Sequence, residues 1–457
     1  MTFPRRVFLL LAVCCLAGLP STVRAAPPWS APQDLSAPHL FASDPAIAFA
    51  GDGTALAAWR WQDGIREQAH GGEAAAARAP GAAAFGAERR LSPAGRVGRP
   101  LMYGRSRTVL GLVRPVGSNR DPRSQLRVAF GRADGSFGGS RLIVARPRIA
   151  PPRLAGNARG DLAFAWFEDR GTSNDRVHVS LRRAGGSFGS PILIAQERVR
   201  SVSVAVGTRG DVLVAWDARG VVRTRVKAVG RASFGPVETI RSEDAFFADL
   251  RTALTANGRA YVAWGAQLRT EGGDTGPVFF HAAVRPAGGS RFRAAQLLDR
   301  LGAERAANPL ELAIVGGGSA AVVAWTGYDG STNRVRVAET DAAGRFGGPL
   351  DVSPPGTDAV LSDLAAGAGG QRLAVWTATS ATQRRQVQAA FAAPGATFGP
   401  PELVSANEEA DTGGAAFDPR TAVPTVLWVN RAAGSTQPLT DIRTFAQAAA
   451  RTGFSAR

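Results

Sequence analysis

Cysteine is almost absent from this chain. Its only two, Cys14 and Cys15, sit side by side within the first 25 residues. The remainder can therefore form no disulfide and offers no thiolate as nucleophile or metal ligand. Lysine is scarcer still: Lys227 is the only one. The four histidines, His39, His70, His178 and His281, have no metal-like spacing. Calcium loops of the Asp-x-Asp-x-Asp-Gly type and the His-Glu-x-x-His zinc motif are missing. No metal site and no cofactor is expected. The phosphate-cradling glycine loop with Lys-Ser/Thr is also missing. So is a Gly-x-Ser-x-Gly nucleophile elbow followed by a helix. Beyond the amino terminus no stretch approaches the roughly 18 apolar residues of a membrane helix, so the mature chain is expected to have no transmembrane segment.

The amino terminus itself reads as an address. Arg5 and Arg6 precede an apolar run from Phe8 to Leu19, and Val23 and Ala25 place small residues before a cleavage point. Residues 1–25 are therefore expected to be a signal peptide, which implies a secreted, extracellular protein. The string RRVFLL also fits a twin-arginine signal, and the export route stays open. Val13 stands where a lipoprotein signal needs a small residue, so Cys14 and Cys15 are not read as a lipid anchor.

What is abundant is glycine (54), proline (29) and arginine. The first two point to many turns. Formal net charge is +17. A positive surface favours polyanions such as anionic glycans or wall polymers; a dispersed basic surface that aids solubility is the alternative. No window carries five or six consecutive basic residues, and nothing marks a specific nucleic-acid binder.

Two motifs alternate along the chain. The first is a turn glycine followed by an apolar strand ending in tryptophan, as in GDGTALAAW, RGDLAFAW, RGDVLVAW and NGRAYVAW. It places Trp59, Trp166, Trp216, Trp264, Trp325, Trp376 and Trp428 at one position, seven of the nine tryptophans. In the degenerate copy RTVLGLV, Val113 is read at that place. The second motif is Phe-Gly before a strand entry, as in GSFGSPILIA and GRFGGPLDVS. Its aromatics fall at Phe85, Phe137, Phe188, Phe234, Phe292, Phe346 and Phe398, with gaps of 52, 51, 46, 58, 54 and 52 residues. A period near 50 marks a propeller or a solenoid.

Each repeat divides into four short strands. In the sixth they read PLELAIV, AAVVAWT, RVRVAET and PLDVS, a gradient from continuous apolar to polar that suits a radial blade. The opening WSAPQDLS, residues 29–36, matches FGGPLDVS, residues 346–353, in its aromatic, its proline, Asp34, Leu35 and Ser36. It is an outer strand with no blade before it. At the other end Phe454 reaches the aromatic position and the strand stops. The expectation is an all-β chain: one eight-bladed β-propeller of four-stranded blades over 26–457, with repeats of about 50 residues from 44 onward. The amino-terminal strand completes the last blade and protects its edge.

The repeats GxxxVAW and SFGxP over residues 29–457 resemble exported bacterial propellers of the broad sialidase-like type, including many actinobacterial repeat proteins. The resemblance implies the propeller fold. The Ser-x-Asp-x-Gly-x-Thr-Trp hallmark of sialidases is missing. Their tyrosine nucleophile would have to be Tyr103, Tyr261 or Tyr328, and no arginine triad can be matched.

Chemistry is expected in the loops after each tryptophan. These offer Trp61, Asp63, Glu168, Asp169, Asp175, Asp217, Glu271, Asp274, Tyr328 and Asp329. Carboxylates with an occasional aromatic could grip a sugar or a cation; turn formation is the competing role. Of these, Trp61, Asp63, Glu168, Asp169, Asp175, Asp217, Tyr328 and Asp329 are the candidate binding residues. Asp44 and Asp249 each lie 15 residues before their tryptophan, at the channel mouth, with Asp363 nearby in its own repeat. The functional expectation is a monomeric, secreted binding or scaffold propeller that recognises a glycan, a cell-wall polymer or a protein without catalysis. The alternative is a glycoside hydrolase or lyase of sialidase-like propeller type.

Overall fold

A computed structural model describes residues 29–451 apart from segments 37–40, 63–70, 92–95, 98–100, 104–106, 119–120, 133–135, 151, 171–173, 243–244, 270–274, 303–310, 380–383, 406–408 and 432–443. Residues 1–25, the expected signal peptide, and Phe454 lie outside the described residues.

Eight antiparallel sheets follow one another around a ring. The inner strand of each blade packs beside that of the next, from Phe41–Phe49 through to Ala410–Phe417 and back to Phe41–Phe49. In the sixth blade the strands are Leu312–Gly317, Ala320–Tyr328, Asn333–Glu339 and Leu350–Asp351, as the apolar pattern predicts. The tryptophan strand is apolar throughout because neighbouring blades cover both its faces. Val212–Asp217 of blade 4 is buried at every residue. Outer strands meet solvent, where Leu142 and Leu403 are each 51% exposed.

All seven repeated tryptophans are 0% exposed, and they pack between blades. Trp216 and Val214 of blade 4 join Ala163, Val177 and Ile194 of blade 3 in one cluster. Burying such a ring contributes roughly 4–6 kcal/mol before side-chain entropy is subtracted. The Phe-Gly motif makes a backbone turn: the Gly189 and Gly399 N–H groups donate to the carbonyls of Leu181 and Phe391 at 2.9 and 2.8 Å. In blade 5 Arg293 makes the same bond, to Val284 at 2.8 Å. The turn therefore requires the N–H rather than glycine itself.

The closing strand pairs as the sequence match requires. Gln33 and Asp34 pair with Ala448 and Gln447 of blade 8, and Trp29 bridges to Arg451 as Phe346 bridges to Thr340. Trp29 is buried, and its Nε1 donates to Glu402 of blade 7 at 2.9 Å.

Blade 2 departs from the others. Its inner position is split between Arg96–Val97 and Leu101–Tyr103, both paired with Arg107–Ser118. Its register also corrects one sequence expectation. Across blade 3 the ladder runs Trp166, His178, Leu193. Across blade 2 the same ladder runs Leu112, Arg127, Leu142. Leu112 and not Val113 holds the tryptophan position. With no tryptophan to anchor it, a Leu-Val pair leaves the register open by one residue.

Candidate functional site

Antiparallel alternation sends two sets of connections to one face of the ring: those leaving the tryptophan strands, and those from each outer strand to the next inner strand. This loop face carries every candidate residue that the structure describes. Asp63, Glu271 and Asp274 lie outside the described residues. The others fall in three places.

In blade 1 Trp61 is buried, with the Arg90 guanidinium 4.1 Å from its ring centre. It is half of a cation–π pair that packs the blade. In blade 6 Tyr328 is half-buried against the core cluster. Asp329 is exposed and ties its own turn: Oδ1 accepts from the Ser331 and Thr332 N–H groups, each at 2.9 Å, and Oδ2 from Arg334 at 3.2 Å. Hydrogen bonds from Thr332 and Ser331 hold its carboxyl well below the usual range.

Blades 3 and 4 gather the rest. Glu168 ends the strand Leu162–Glu168 and is 1% exposed. Its Oε2 accepts from Arg170 Nη2 at 3.0 Å. Its Oε1 faces Arg146 Nε at 3.4 Å and His178 Nε2 at 3.2 Å. His178 stacks on Trp166 with centroids 5.6 Å apart. Burial pushes its pKa down, Glu168 pulling the other way. Asp175 is buried and braces two loops, accepting from the Arg170 N–H at 2.8 Å and the Val199 N–H at 3.0 Å. Asp169 is exposed, and its N–H donates to the Arg148 carbonyl at 3.0 Å. Asp217 is 0% exposed; Oδ1 accepts from Gly220, whereas buried Oδ2 has no hydrogen-bond partner. Burial raises its pKa to about 6.

The inner-strand carboxylates serve the backbone. Asp249 Oδ1 accepts from the Leu250 N–H at 2.9 Å and pairs with Arg251. Asp363 accepts from Leu364 and, across the seam, from the Ala415 N–H of blade 8, both at 2.9 Å. Among the described residues no group of three or more His, Cys, Asp or Glu side chains is placed to hold a metal ion. Nor does any helix there have the length and apolarity to cross a membrane.

The loop face also presents residues that the search for consecutive basic runs misses. Arg146, Arg148, Arg170, Arg198 and Arg219 are exposed. They come from four loops of blades 2–4, so no sequence window shows more than a pair. Arg148 and Arg219 adopt φ of 38° and 54°, a left-handed conformation that costs an L-residue about 1–2 kcal/mol and that glycine takes freely. Three acidic side chains of the same region, Glu168, Asp175 and Asp217, are buried, and Asp169 is exposed. Exposed positive charge therefore outweighs exposed negative charge there.

No protein-family model and no curated protein matches this chain. Among solved structures, a prolyl endopeptidase aligns at 17% identity and a TM-score of 0.45, over 87% of this chain and 54% of its own. This chain thus spans about half that enzyme's length. An ulvan lyase aligns at 11% identity and a TM-score of 0.44, over 77% of this chain and 93% of its own. A Hadza microbial sialidase aligns at 11% identity and 0.36, over 93% and 96%. At such identities the likeness is one of fold alone, and the chain is described by what its own strand pairing shows, an eight-bladed β-propeller.

Proposed function

We propose that this protein is a secreted, monomeric binding propeller that holds an acidic polysaccharide on the loop face of blades 2–4, without catalysis. The observation that carries this reading is the exposed arginine arc over buried carboxylates. Arginine suits the task, since its planar guanidinium pairs with carboxylate or sulfate through two parallel hydrogen bonds. A positive face with its counter-charges withdrawn raises the local concentration of polyanion and the association rate. The +17 net charge acts in the same direction.

The rival reading, a glycoside hydrolase or lyase, calls for two carboxyl groups facing across a cleft, about 5–10 Å apart. Both oxygens of Glu168, Asp175 and Asp329 are already engaged by cations or N–H donors. That commitment favours binding over acid–base work.

The test is an array of acidic and neutral glycans probed with the mature protein at two ionic strengths. Acidic glycans should bind and weaken steeply with salt. Binding confined to neutral glycans, or to nucleic acid with equal affinity, would overturn the reading. So would turnover of a bound glycan.

A further inference from the structure

The seam between blades 2 and 3 lacks an acceptor that an equivalent seam possesses. Between blades 3 and 4, Glu197 stands four residues beyond Leu193 of the ladder. It accepts from Trp216 Nε1 at 2.6 Å and pairs with Arg223. Asp299 plays the same part between blades 5 and 6, accepting from Trp325 Nε1 at 2.8 Å and from Arg336 at 2.9 Å. In both seams an outer-strand carboxylate ties the tryptophan and an arginine of the following blade.

Between blades 2 and 3 the residue four beyond Leu142 is Arg146. A guanidinium cannot accept a hydrogen bond. The consequence is visible among the buried donors. Trp166 Nε1 and Arg176 Nε lie buried with no partner, and an unmade bond of this kind costs about 1–3 kcal/mol. Trp59, Trp264 and Trp428 Nε1 share that state; what is particular to this seam is that Arg146, Arg170 and Arg176 surround His178, which stacks on the unpaired indole. Register places Trp166 opposite His178 and Glu168 opposite Arg176, so these side chains share the face that meets Arg146. Glu168 is the carboxylate that pairs with Arg146 and Arg170, with Arg176 opposite it in the ladder. It holds the first two in place from below, while half of the Arg146 side chain remains exposed. The ordering cost of two long side chains is thus met before a ligand arrives.

We infer that this seam is an oxyanion site, in which a sulfate ester or carboxylate group supplies the acceptor that Glu197 and Asp299 supply elsewhere. Arg146 and Arg170 contact the anion; Glu168 is a positioning residue. Taking a polysaccharide as the source of the anion rests on the function proposed above, whereas the site itself does not. Because the two arginines belong to different blades, a bound anion also staples the irregular blade 2 to blade 3.

Arg146→Glu tests the site by placing a carboxylate where the seam of blades 3 and 4 has Glu197. In chloride this variant should melt about 1–3 °C above wild type, and Arg146→Gln, which keeps an acceptor without the charge, should follow it in direction. Inorganic sulfate at matched ionic strength stabilises most proteins by exclusion. The informative quantity is therefore the extra rise in wild type, which Arg146→Glu and Arg170→Ala should lose and Arg291→Ala, on the opposite face, should keep. Equal sulfate increments in all four proteins, or a lower melting temperature for both Arg146 variants, would overturn the inference. Heparin and polygalacturonate then separate the sources, a sulfate ester or a carboxylate, with about tenfold weaker binding to Arg146→Glu. If sulfate acts as described and neither polymer binds, the site stands and the polysaccharide reading falls.

Discussion

Gln33 and Phe85 exchange two hydrogen bonds across the point where the ring closes. The Gln33 Nε2 donates to the Phe85 carbonyl at 2.9 Å, and the Phe85 N–H donates to Gln33 Oε1 at 2.8 Å. Inside the chain Gln296 and Phe346 make the same pair, at 3.4 and 3.0 Å. The closing strand is thus joined to blade 1 by the device that joins blade 5 to blade 6. Gln33→Ala should lower stability by about 1–3 kcal/mol, and Gln296→Ala by a similar amount. Deletion of residues 26–36 should cost more than either, since it also removes Trp29 and Leu35 from the core. Thermal melts of the three variants check this. A deletion that melts with wild type would show that the ring does not depend on its closing strand.

Tryptophan-to-phenylalanine changes separate packing from hydrogen bonding. Trp216→Phe and Trp325→Phe each strip a donor from a carboxylate, Glu197 or Asp299. Trp166→Phe removes a donor that has no acceptor. The first two should cost about 1 kcal/mol more than the third, measured by denaturant midpoint. Three equal losses would mean that the indole N–H contributes nothing.

Stability should depend on pH through buried carboxyls. Burial raises Asp217 and Asp249 from 3.8 to about 6 and Glu73 from 4.5 to about 8. Between the unfolded and folded values the native state holds more protons than the unfolded chain, so stability falls as pH rises through that window. For Asp217 the window is about pH 4 to 6. Asp217→Asn should flatten the decline there and melt higher than wild type at pH 7, as read by melts across a pH series. An unchanged pH profile would place this carboxyl in contact with water.

Gly111 has no room for a side chain. A Cβ there would stand 2.2 Å from Cζ of Phe164 in blade 3. Gly111→Ala should cost about 1–3 kcal/mol through overpacking. The double variant Gly111→Ala with Phe164→Leu should recover part of the loss in a double-mutant cycle.

The fold was largely legible because it is written locally and repeatedly. A turn glycine, a run apolar on both faces and a tryptophan at its end state the same burial pattern in most repeats. Even the seam could be read, since Asp34 pairs opposite Gln447 as Asp351 pairs opposite Arg336. Legibility failed where that signal did. Without a tryptophan, Leu112 could not be told from Val113. In the third strand of blade 6, alternation with Arg334 and Arg336 hints at a wet side. Yet Arg334 is 6% exposed and bonded to Ser353 and Asp329, because the preceding blade covers that face, where Arg336 bonds Asp299.

Sequence alone determined the propeller repeat, the closure and the buried tryptophan column, because each follows from hydrophobic period and turn chemistry within one repeat; the strand pairing of blade 2, which lacks the tryptophan, decided the count of eight. Only the tertiary structure decided which loop residues act outward. Asp175, Asp217 and Asp329 belong to the same class of loop carboxylate in sequence, yet one braces two loops, one is buried with an unpaired oxygen and one ties an exposed turn. The arginines of the loop face, and the acceptor missing beside Trp166, are relations between blades about 50 residues apart in sequence. Adjacency of that kind is created when the ring closes, and no local pattern encodes it.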